Sequence, residues 1–176
     1  MGRLTMTLEI ETFEFRDDGL IPNNERLPLV LYRSALTAPS GQSLEQAFQQ
    51  RFAANGWCGT WVNGIYDFQH YHAHCHEVLG IGAGEADVQF GGPSGPVLQV
   101  KAGDAVVIPA GVGHCRRDSR PGLIVVGAYP AGQQNVDLKR ANAADRAASL
   151  EIIPQVALPE QDPIAGSGQG LPLLRT

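Results

Sequence analysis

The chain has 176 residues, of which 43% are hydrophobic and 18% are charged, and its formal net charge at pH 7 is −5. This length and composition are ordinary for a soluble globular protein that builds its own core. A negative net charge without a basic stripe argues against nucleic acid as a partner, because phosphates are bound by clustered Lys and Arg side chains.

The N-terminal stretch MGRLTMTLEIETFEF lacks the apolar segment of a signal peptide, and no run in the chain is long and apolar enough for a membrane span. Cys58, Cys75 and Cys115 are odd in number, which favours free thiols over disulfides in a chain without an export signal. We therefore expect a soluble cytoplasmic protein with no membrane partner.

The first third of the chain predicts two strands and one helix. Residues 5–15 alternate weakly between apolar and polar side chains, and 27–31 is a short apolar run. The helix spans about 43–54, where Ser43 is the N-cap and Gln46 its capping-box partner. An apolar stripe at helical spacing is expected to pack this helix against the rest of the protein. The stripe consists of Leu44, Ala47, Phe48 and Phe52.

The middle of the chain predicts a β-sandwich or barrel. The 21 glycines and 12 prolines favour many short strands separated by turns. The candidate strands are 57–62, 65–72, 77–82, 86–90, 97–101, 105–108 and 123–128. A second helix is predicted from Asn142, with Asp145 in its first turn, to about Ile152.

The sequence contains no internal repeat, and we expect one domain over residues 1–176. Its core barrel is predicted at about 57–130, after the N-terminal strands and helix in 1–56. The C-terminal helix lies in 131–176, and the Pro- and Gly-rich stretch PEQDPIAGSGQGLP that follows it is expected to be an extended arm or loosely ordered.

The stretch GIYDFQHYHAHCHEVLGIGAG, from Gly64 to Gly84, contains four of the five histidines. Side chains alternate between the faces of a strand, so His70 and His72 share one face of the predicted strand 65–72. Glu77 opens the next strand and can return to the same point, and a barrel would bring the distant His114 alongside. Three imidazoles and one carboxylate leave about two positions free on an octahedral transition metal ion. We therefore predict one reactive metal site built from two parts of the chain.

The spacing of these residues resembles the two sequence motifs of the cupin superfamily. The first motif consists of Gly64, His70, His72, Glu77 and Gly84, and the second of Gly103, Pro109, Gly111 and His114. Cupins commonly have Asn at the last position of the second motif, where this chain has Asp118. The segments IPNN, HEVLGI, VVIPAGVGH and VVGAYP are similar, more narrowly, to the YjlB-type cupins, small single-domain proteins of largely unassigned activity.

The resemblance implies an all-β fold, the double-stranded β-helix, with the metal inside the barrel. The ligands it implies are His70, His72, Glu77 and His114, which hold a divalent transition metal such as Fe, Mn, Ni or Zn. Asp118 then orients His114 or pairs with a neighbouring arginine, Arg116 or Arg117.

The remaining polar residues of the two motifs allow alternative interpretations. His74 and His76 are expected not to bind the metal, and His76 is a candidate for the substrate mouth or a dimer contact. Arg116, Arg117 and Arg120 form either an anion-recognition group or a solvated run of charge. The other residues near the motifs are expected to pack in the core; they are Tyr66, Phe68, Cys75 and Cys115.

Two functions from different classes are compatible with such a site. In the first, the protein is a metalloenzyme that acts on a small oxygen-bearing substrate, as a dioxygenase or as an isomerase or hydrolase. In the second, it is a binding or sensor module that holds a small acid or sugar without turnover. A purely structural cation is a third possibility. We expect a homodimer that pairs through the N-terminal strand, because pairing removes an exposed sheet edge.

Overall fold

The computed structural model of the protein describes residues 8–167 as two antiparallel β-sheets with two helices. The strands are β1 (Glu9–Phe13), β2 (Leu29–Arg33), β3 (Trp57–Asn63), β4 (His70–Tyr71), β5 (Glu77–Ala83), β6 (Glu85–Phe90), β7 (Val97–Lys101), β8 (Ala105–Ile108), β9 (His114–Ser119), β10 (Ile124–Pro130) and β11 (Lys139–Arg140). The helices are α1 (Leu44–Ala54) and α2 (Ala143–Ile152), and a short 3-10 turn follows at Ile153–Gln155.

The six-stranded sheet has the order β1-β2-β8-β5-β10-β3, and the five-stranded sheet has the order β11-β4-β9-β6-β7. Side chains from both sheets form the apolar core between them, because alternate residues of each strand point inwards. Its members include Leu31, Leu79, Ile81, Val88, Phe90, Val106 and Val125, all buried. The predicted all-β, double-stranded β-helix architecture is confirmed.

Helix α1 packs on the outer face of the six-stranded sheet. Its N-cap is the predicted capping box, in which Ser43 Oγ accepts from the Gln46 amide and the Gln46 side chain accepts from the Ser43 amide. Phe48 and Phe52 are buried against the sheet. A Cβ at Gly80 in β5 would lie 2.6 Å from the Phe48 ring, so this glycine lets the helix approach the strand. The apolar stripe therefore has the packing role predicted for it.

The predicted strand 65–72 is wrong over most of its length, because only His70–Tyr71 pairs as a strand. Two of the preceding residues are instead hydrogen-bonded to Arg116. The Arg116 amide donates to the Tyr66 carbonyl (2.9 Å), and Arg116 Nε donates to the Ile65 carbonyl (3.0 Å). Tyr66 is also not a core residue, since its side chain is 54% exposed. An irregular segment lacks the strict alternation on which that prediction depended.

The chain ends differ in part from the predictions. Strand β1 begins at Glu9, and residues 5–7 of the predicted strand lie outside the described residues. The C-terminal stretch is ordered at least to residue 167, where Arg51 Nη1 donates to the Ile164 carbonyl (3.0 Å) and Asp162 accepts from the Tyr32 hydroxyl (2.7 Å). The rest of the predicted arm, 168–176, lies outside the described residues. All three cysteines are free, as predicted. Between residues 8 and 167, neither helix has the length and apolar character needed to cross a membrane.

Candidate metal centre

The four predicted ligand residues lie together between the two sheets. His70 in β4 is directly opposite His114 in β9, with ring centroids 4.0 Å apart, and His72 follows two residues after His70. Within residues 8–167, one possible ligand nitrogen from each of these three rings lies within 4.8 Å of the others. Glu77 reaches them from the other sheet, with Oε2 3.4 Å from His72 Nε2 and Oε1 3.3 Å from His114 Nε2. The two sheets thus contribute different groups to one point.

The three imidazoles share one tautomer, which is set by a backbone carbonyl next to each ring. His70 Nδ1 lies 2.9 Å from the Phe68 carbonyl, and His114 Nδ1 lies 3.1 Å from the Val112 carbonyl. His72 Nδ1 makes a short contact with the Asp137 carbonyl. A carbonyl oxygen only accepts hydrogen bonds, so each Nδ1 carries the proton and donates it. Each Nε2 is therefore available on the side of the ring away from its carbonyl partner, which is the arrangement common in metal-binding histidines.

The buried Glu77 carboxylate is negatively charged, and a positive charge next to it stabilises that state. Burial alone would raise the pKa of Glu77, but the imidazoles of His72 and His114 outweigh it and hold the pKa well below its usual range. Burial lowers the pKa of His70 to about 3, helped by His114. Burial acts in the same direction on His72, but the Glu77 carboxylate outweighs it and raises the pKa. Without a cation, a proton on His72 balances Glu77.

Tyr129 is a site residue that the sequence reasoning missed. Its hydroxyl accepts a hydrogen bond from Trp61 Nε1 (2.8 Å) and lies next to the Glu77 carboxylate. Burial and the neighbouring Glu77 raise the pKa of the phenol, so it stays protonated. A Cβ at Gly127 would lie 2.1 Å from the Trp61 indole, so that glycine makes room for the ring that holds Tyr129. Strand alternation from the buried Val125 through Gly127 could have found this residue.

Asp137 is a second missed residue, on the segment 131–138 that follows β10, here called the strap. Its carboxylate accepts hydrogen bonds from the amides of Ala73 (3.0 Å) and His74 (3.0 Å). Its carbonyl is the partner of His72 Nδ1. Gln133 adds a third anchor, since its Oε1 accepts from the His76 amide (3.0 Å). The strap is thereby fixed to the turn between β4 and β5 and sets the orientation of His72.

His74 and His76 lie away from the four candidate ligands. The side chain of His74 is exposed. His76 is 1% exposed, and its Nδ1 accepts from the Ala110 amide (2.9 Å). His76 does not line the cavity beside the candidate ligands, and a residue this deeply buried is not available to a second copy of the chain, so those suggested roles for His76 are wrong.

Asp118 has neither of the roles suggested for it. Where β9 pairs with β6, the register shifts between Asp87 and Val88, so that Arg117 has no partner residue in β6 and Asp118 turns outwards. Asp118 is exposed, and its carboxylate accepts from the Ser119 amide (2.9 Å). Among residues 8–167, no hydrogen bond or ion pair joins Asp118 to His114, Arg116 or Arg117. The bulge explains the difference, because an extra residue reverses the inward and outward faces of a strand.

The candidate ligands lie in the wall of a cavity of about 950 Å³. Tyr129 and the strap residues Val136 and Leu138 line the same cavity. A small organic molecule therefore has space next to the histidine cluster.

No model of a known protein family matches the sequence. The chain is 42% identical over 166 residues to the uncharacterized protein YjlB of Bacillus subtilis (strain 168), and the alignment covers 94% of this chain and 96% of that protein. A solved structure, an uncharacterized conserved protein with a double-stranded β-helix domain from Klebsiella pneumoniae, is similar with a TM-score of 0.38 and 16% identity, over 80% of this chain and 84% of that one.

The acireductone dioxygenase of Bacillus anthracis, solved with a cadmium ion in its active centre, is similar with a TM-score of 0.38 and 15% identity, over 70% of this chain and 79% of that one. Likenesses of this size concern the arrangement of strands only, whereas the YjlB alignment spans nearly the whole sequence. The chain therefore belongs to the family of YjlB.

Proposed function

We propose that the protein is a small metalloenzyme in which His70, His72, Glu77 and His114 hold one divalent transition metal ion, either Fe, Mn, Ni or Zn. The observation that carries the proposal is the shared tautomer of the three imidazoles. Each donates its Nδ1 proton to a backbone carbonyl, so that each has an Nε2 lone pair to offer a cation. A buried carboxylate without such a cation has only a protonated His72 to neutralise it.

The distances between these groups fit a transition metal ion. Ligand nitrogens about 2.1 Å from a common ion lie at most about 4.2 Å apart. The three histidine nitrogens lie within 4.8 Å of one another, so a small inward movement of the rings would bring them onto one ion. Nitrogen and carboxylate ligands together favour Zn, Fe, Ni or Mn over Ca or Mg, which prefer all-oxygen sites.

The proposed substrate is a small oxygen-bearing molecule. A bound ion would polarise a substrate oxygen for isomerisation or hydrolysis or, if redox-active, activate dioxygen. The protein side chains supply the surroundings. Tyr129 holds a proton on its hydroxyl beside Glu77, and Trp61 fixes the direction of that hydroxyl. The apolar side chains of Leu79 and Ile124 in the cavity wall reduce the access of water.

The proposal is tested by titrating untagged, chelator-treated protein with each of the four ions by calorimetry. We expect one equivalent per chain, followed by oxygen consumption or turnover in a panel of small hydroxy, keto and enol compounds. Failure to bind any of the ions would refute the proposal. Metal binding without turnover, together with thermal stabilisation by one compound, would instead assign a binding or sensor module. Unfolding on metal removal would indicate a structural cation.

We further propose that the chain is one cytoplasmic domain and forms a homodimer through β1. Strand β1 is at the edge of the six-stranded sheet, and its Ile10 is 39% exposed. Exposed edge strands are commonly covered by pairing. Light scattering at micromolar concentration measures the mass, and a monomer would contradict this arrangement.

A further inference from the structure

The walls of the metal-site cavity are mostly apolar beyond the four candidate ligands. Five of the lining side chains are large and hydrophobic: Trp61, Ile65, Leu79, Leu123 and Ile124. Such walls gain free energy by covering carbon, at about 25 cal/mol for each Å² removed from water. The cavity therefore favours a ligand with an apolar body.

The mouth of the same cavity exposes four more hydrophobic side chains. Val62 is 43% exposed, Tyr66 54%, Val136 38% and Leu138 46%. These four are half of the eight large hydrophobic residues that are exposed between residues 8 and 167. Scattered exposed hydrophobic residues are normal, but their concentration around one opening is typical of a ligand site.

Most polar groups of the cavity wall beyond the candidate ligands already have partners within the protein, which disfavours a sugar. Trp61 Nε1 donates to Tyr129, and Ser119 Oγ accepts from Arg116 Nη1 (2.9 Å). The Asp137 carboxylate is occupied by two backbone amides. A sugar-binding site needs several such groups to face the ligand, because each buried hydroxyl must be hydrogen-bonded.

Arg116 is the charged group best placed to hold one end of a ligand. It follows His114 by two residues on β9, so the two Cα atoms are about 7 Å apart and the side chains share a face. The bonds to the Ile65 carbonyl (3.0 Å) and to Ser119 (2.9 Å) use Nε and Nη1 and fix the guanidinium. Its Nη2 lies 4.0 Å from Asp67, a side chain that is 73% exposed. The Asp67 carboxylate thus marks the side of the guanidinium where a ligand carboxylate would bind, and because Asp67 is exposed, a ligand can displace it.

We propose that the natural ligand is an amphipathic carboxylic acid, whose carboxylate binds the Nη2 side of Arg116 and whose apolar body lies against the cavity wall and rim. An oxygen-bearing group at the other end of the molecule reaches the histidine cluster. This inference rests on the proposed function, because the cluster must hold an ion for that end to bind. Arginine suits the task because its planar fork matches a carboxylate and remains charged.

The test uses zinc-loaded protein and two hydroxamic acids that differ at one end only. Hexanohydroxamate presents a metal-binding hydroxamate and a methyl terminus, and the monohydroxamate of adipic acid presents the same hydroxamate and a carboxylate terminus. Calorimetry at low ionic strength should show about tenfold tighter binding of the adipic compound, which corresponds to about 1.4 kcal/mol. Acetohydroxamate, which lacks the apolar chain, should bind at least about tenfold more weakly than hexanohydroxamate.

Three variants locate the effect. Arg116→Gln should abolish the preference for the carboxylate and leave the affinity for hexanohydroxamate unchanged. Arg117→Gln is the matched control, since Arg117 carries the same charge one residue away and does not line the cavity. Asp67→Asn should strengthen binding of the adipic compound about twofold, because it removes a competing carboxylate. Zinc uptake by each variant shows that its site is folded.

The possible outcomes separate this inference from the proposed function. Absence of zinc uptake by the wild-type protein would overturn both. Zinc uptake with equal affinity for the two hydroxamates would overturn only the assignment of an acid. The same conclusion would follow if Arg117→Gln reduced the preference as strongly as Arg116→Gln, because the effect would then come from net charge. A preference that depends on Arg116 alone supports the carboxylate site.

Discussion

Two pairs of histidines in the stretch from His70 to His76 differ in environment although they alternate at the same spacing. His70 and His72 converge with His114 and Glu77 between the sheets. His74 is exposed, and His76 is buried outside the cluster. Identical side chains two to six residues apart are thus a candidate metal site, a surface residue and a packing residue.

The backbone partner of each ring accounts for the difference. In His70 and His72, Nδ1 donates to a carbonyl, so Nε2 offers a lone pair. In His76, Nδ1 instead accepts from the Ala110 amide, so a neutral ring carries its proton on Nε2, near the Ala157 carbonyl. An imidazole with that tautomer has no lone pair left for a metal. A histidine count therefore says less about metal binding than the hydrogen bond that each ring makes.

The largest effect should come from removing one of the converging rings. His72→Ala should weaken zinc binding by more than about a hundredfold, because even changes around the ligands reduce affinity about 10- to 100-fold. Competition with a chromophoric chelator measures the affinity. His74→Ala is the matched control and should leave it unchanged. Equal losses in the two variants would remove the distinction between the pairs.

The next effect concerns His76, which should matter for stability and not for zinc binding. His76→Ala leaves the Ala110 amide unpaired in the interior and creates a cavity, so the free energy of unfolding should fall by about 3 kcal/mol. Urea unfolding in the presence of a chelator measures the loss. The variant should still take up one zinc ion, and His74→Ala should change the stability by less than about 0.5 kcal/mol. A His76→Ala protein of normal stability that binds no zinc would show that His76 belongs to the metal site.

A third effect appears as the pH falls. Burial lowers the pKa of His76 to about 4, from 6.5 for an exposed histidine. Between these values the unfolded chain binds a proton that the folded protein excludes, so stability falls with decreasing pH by up to about 1.4 kcal/mol per pH unit. Unfolding of the metal-free protein from pH 7 to pH 4 should show the wild type losing its advantage over His76→Gln. A wild-type advantage over His76→Gln that is independent of pH would contradict the buried neutral ring.

The smallest effect tests the strap. Asp137→Ala removes the carboxylate that anchors the strap to Ala73 and His74, so the partner of His72 Nδ1 becomes less well positioned. Zinc affinity should fall about tenfold, as is usual for residues that orient a ligand. Asp118→Ala is the matched control, because Asp118 is exposed and its carboxylate accepts from the amide of the neighbouring Ser119. A larger loss in Asp118→Ala would restore the role suggested by its motif position.

Much of the fold and of the site could be predicted because the relevant signals are local. The capping box of Ser43 and Gln46 fixed the start of helix α1, and the motif spacing selected His70, His72, Glu77 and His114. Tyr129 follows the same alternation rule but lies outside both motifs, so the motif spacing does not select it. The irregular segment before His70 was predicted as a strand, because a local pattern does not reveal that Arg116 replaces the ladder of backbone bonds.

The amino-acid sequence by itself determined which side chains are available and how they alternate, since strand geometry depends on near neighbours. Only the tertiary structure decided which ring nitrogens face the common point. The carbonyl of Asp137 and the amide of Ala110 lie 65 and 34 residues away from the histidines they bind. The bulge that turns Asp118 outwards depends likewise on pairing with a separate strand. For His72 and His76, the hydrogen bond that fixes the tautomer joins groups distant in the chain, and no local periodicity predicts it.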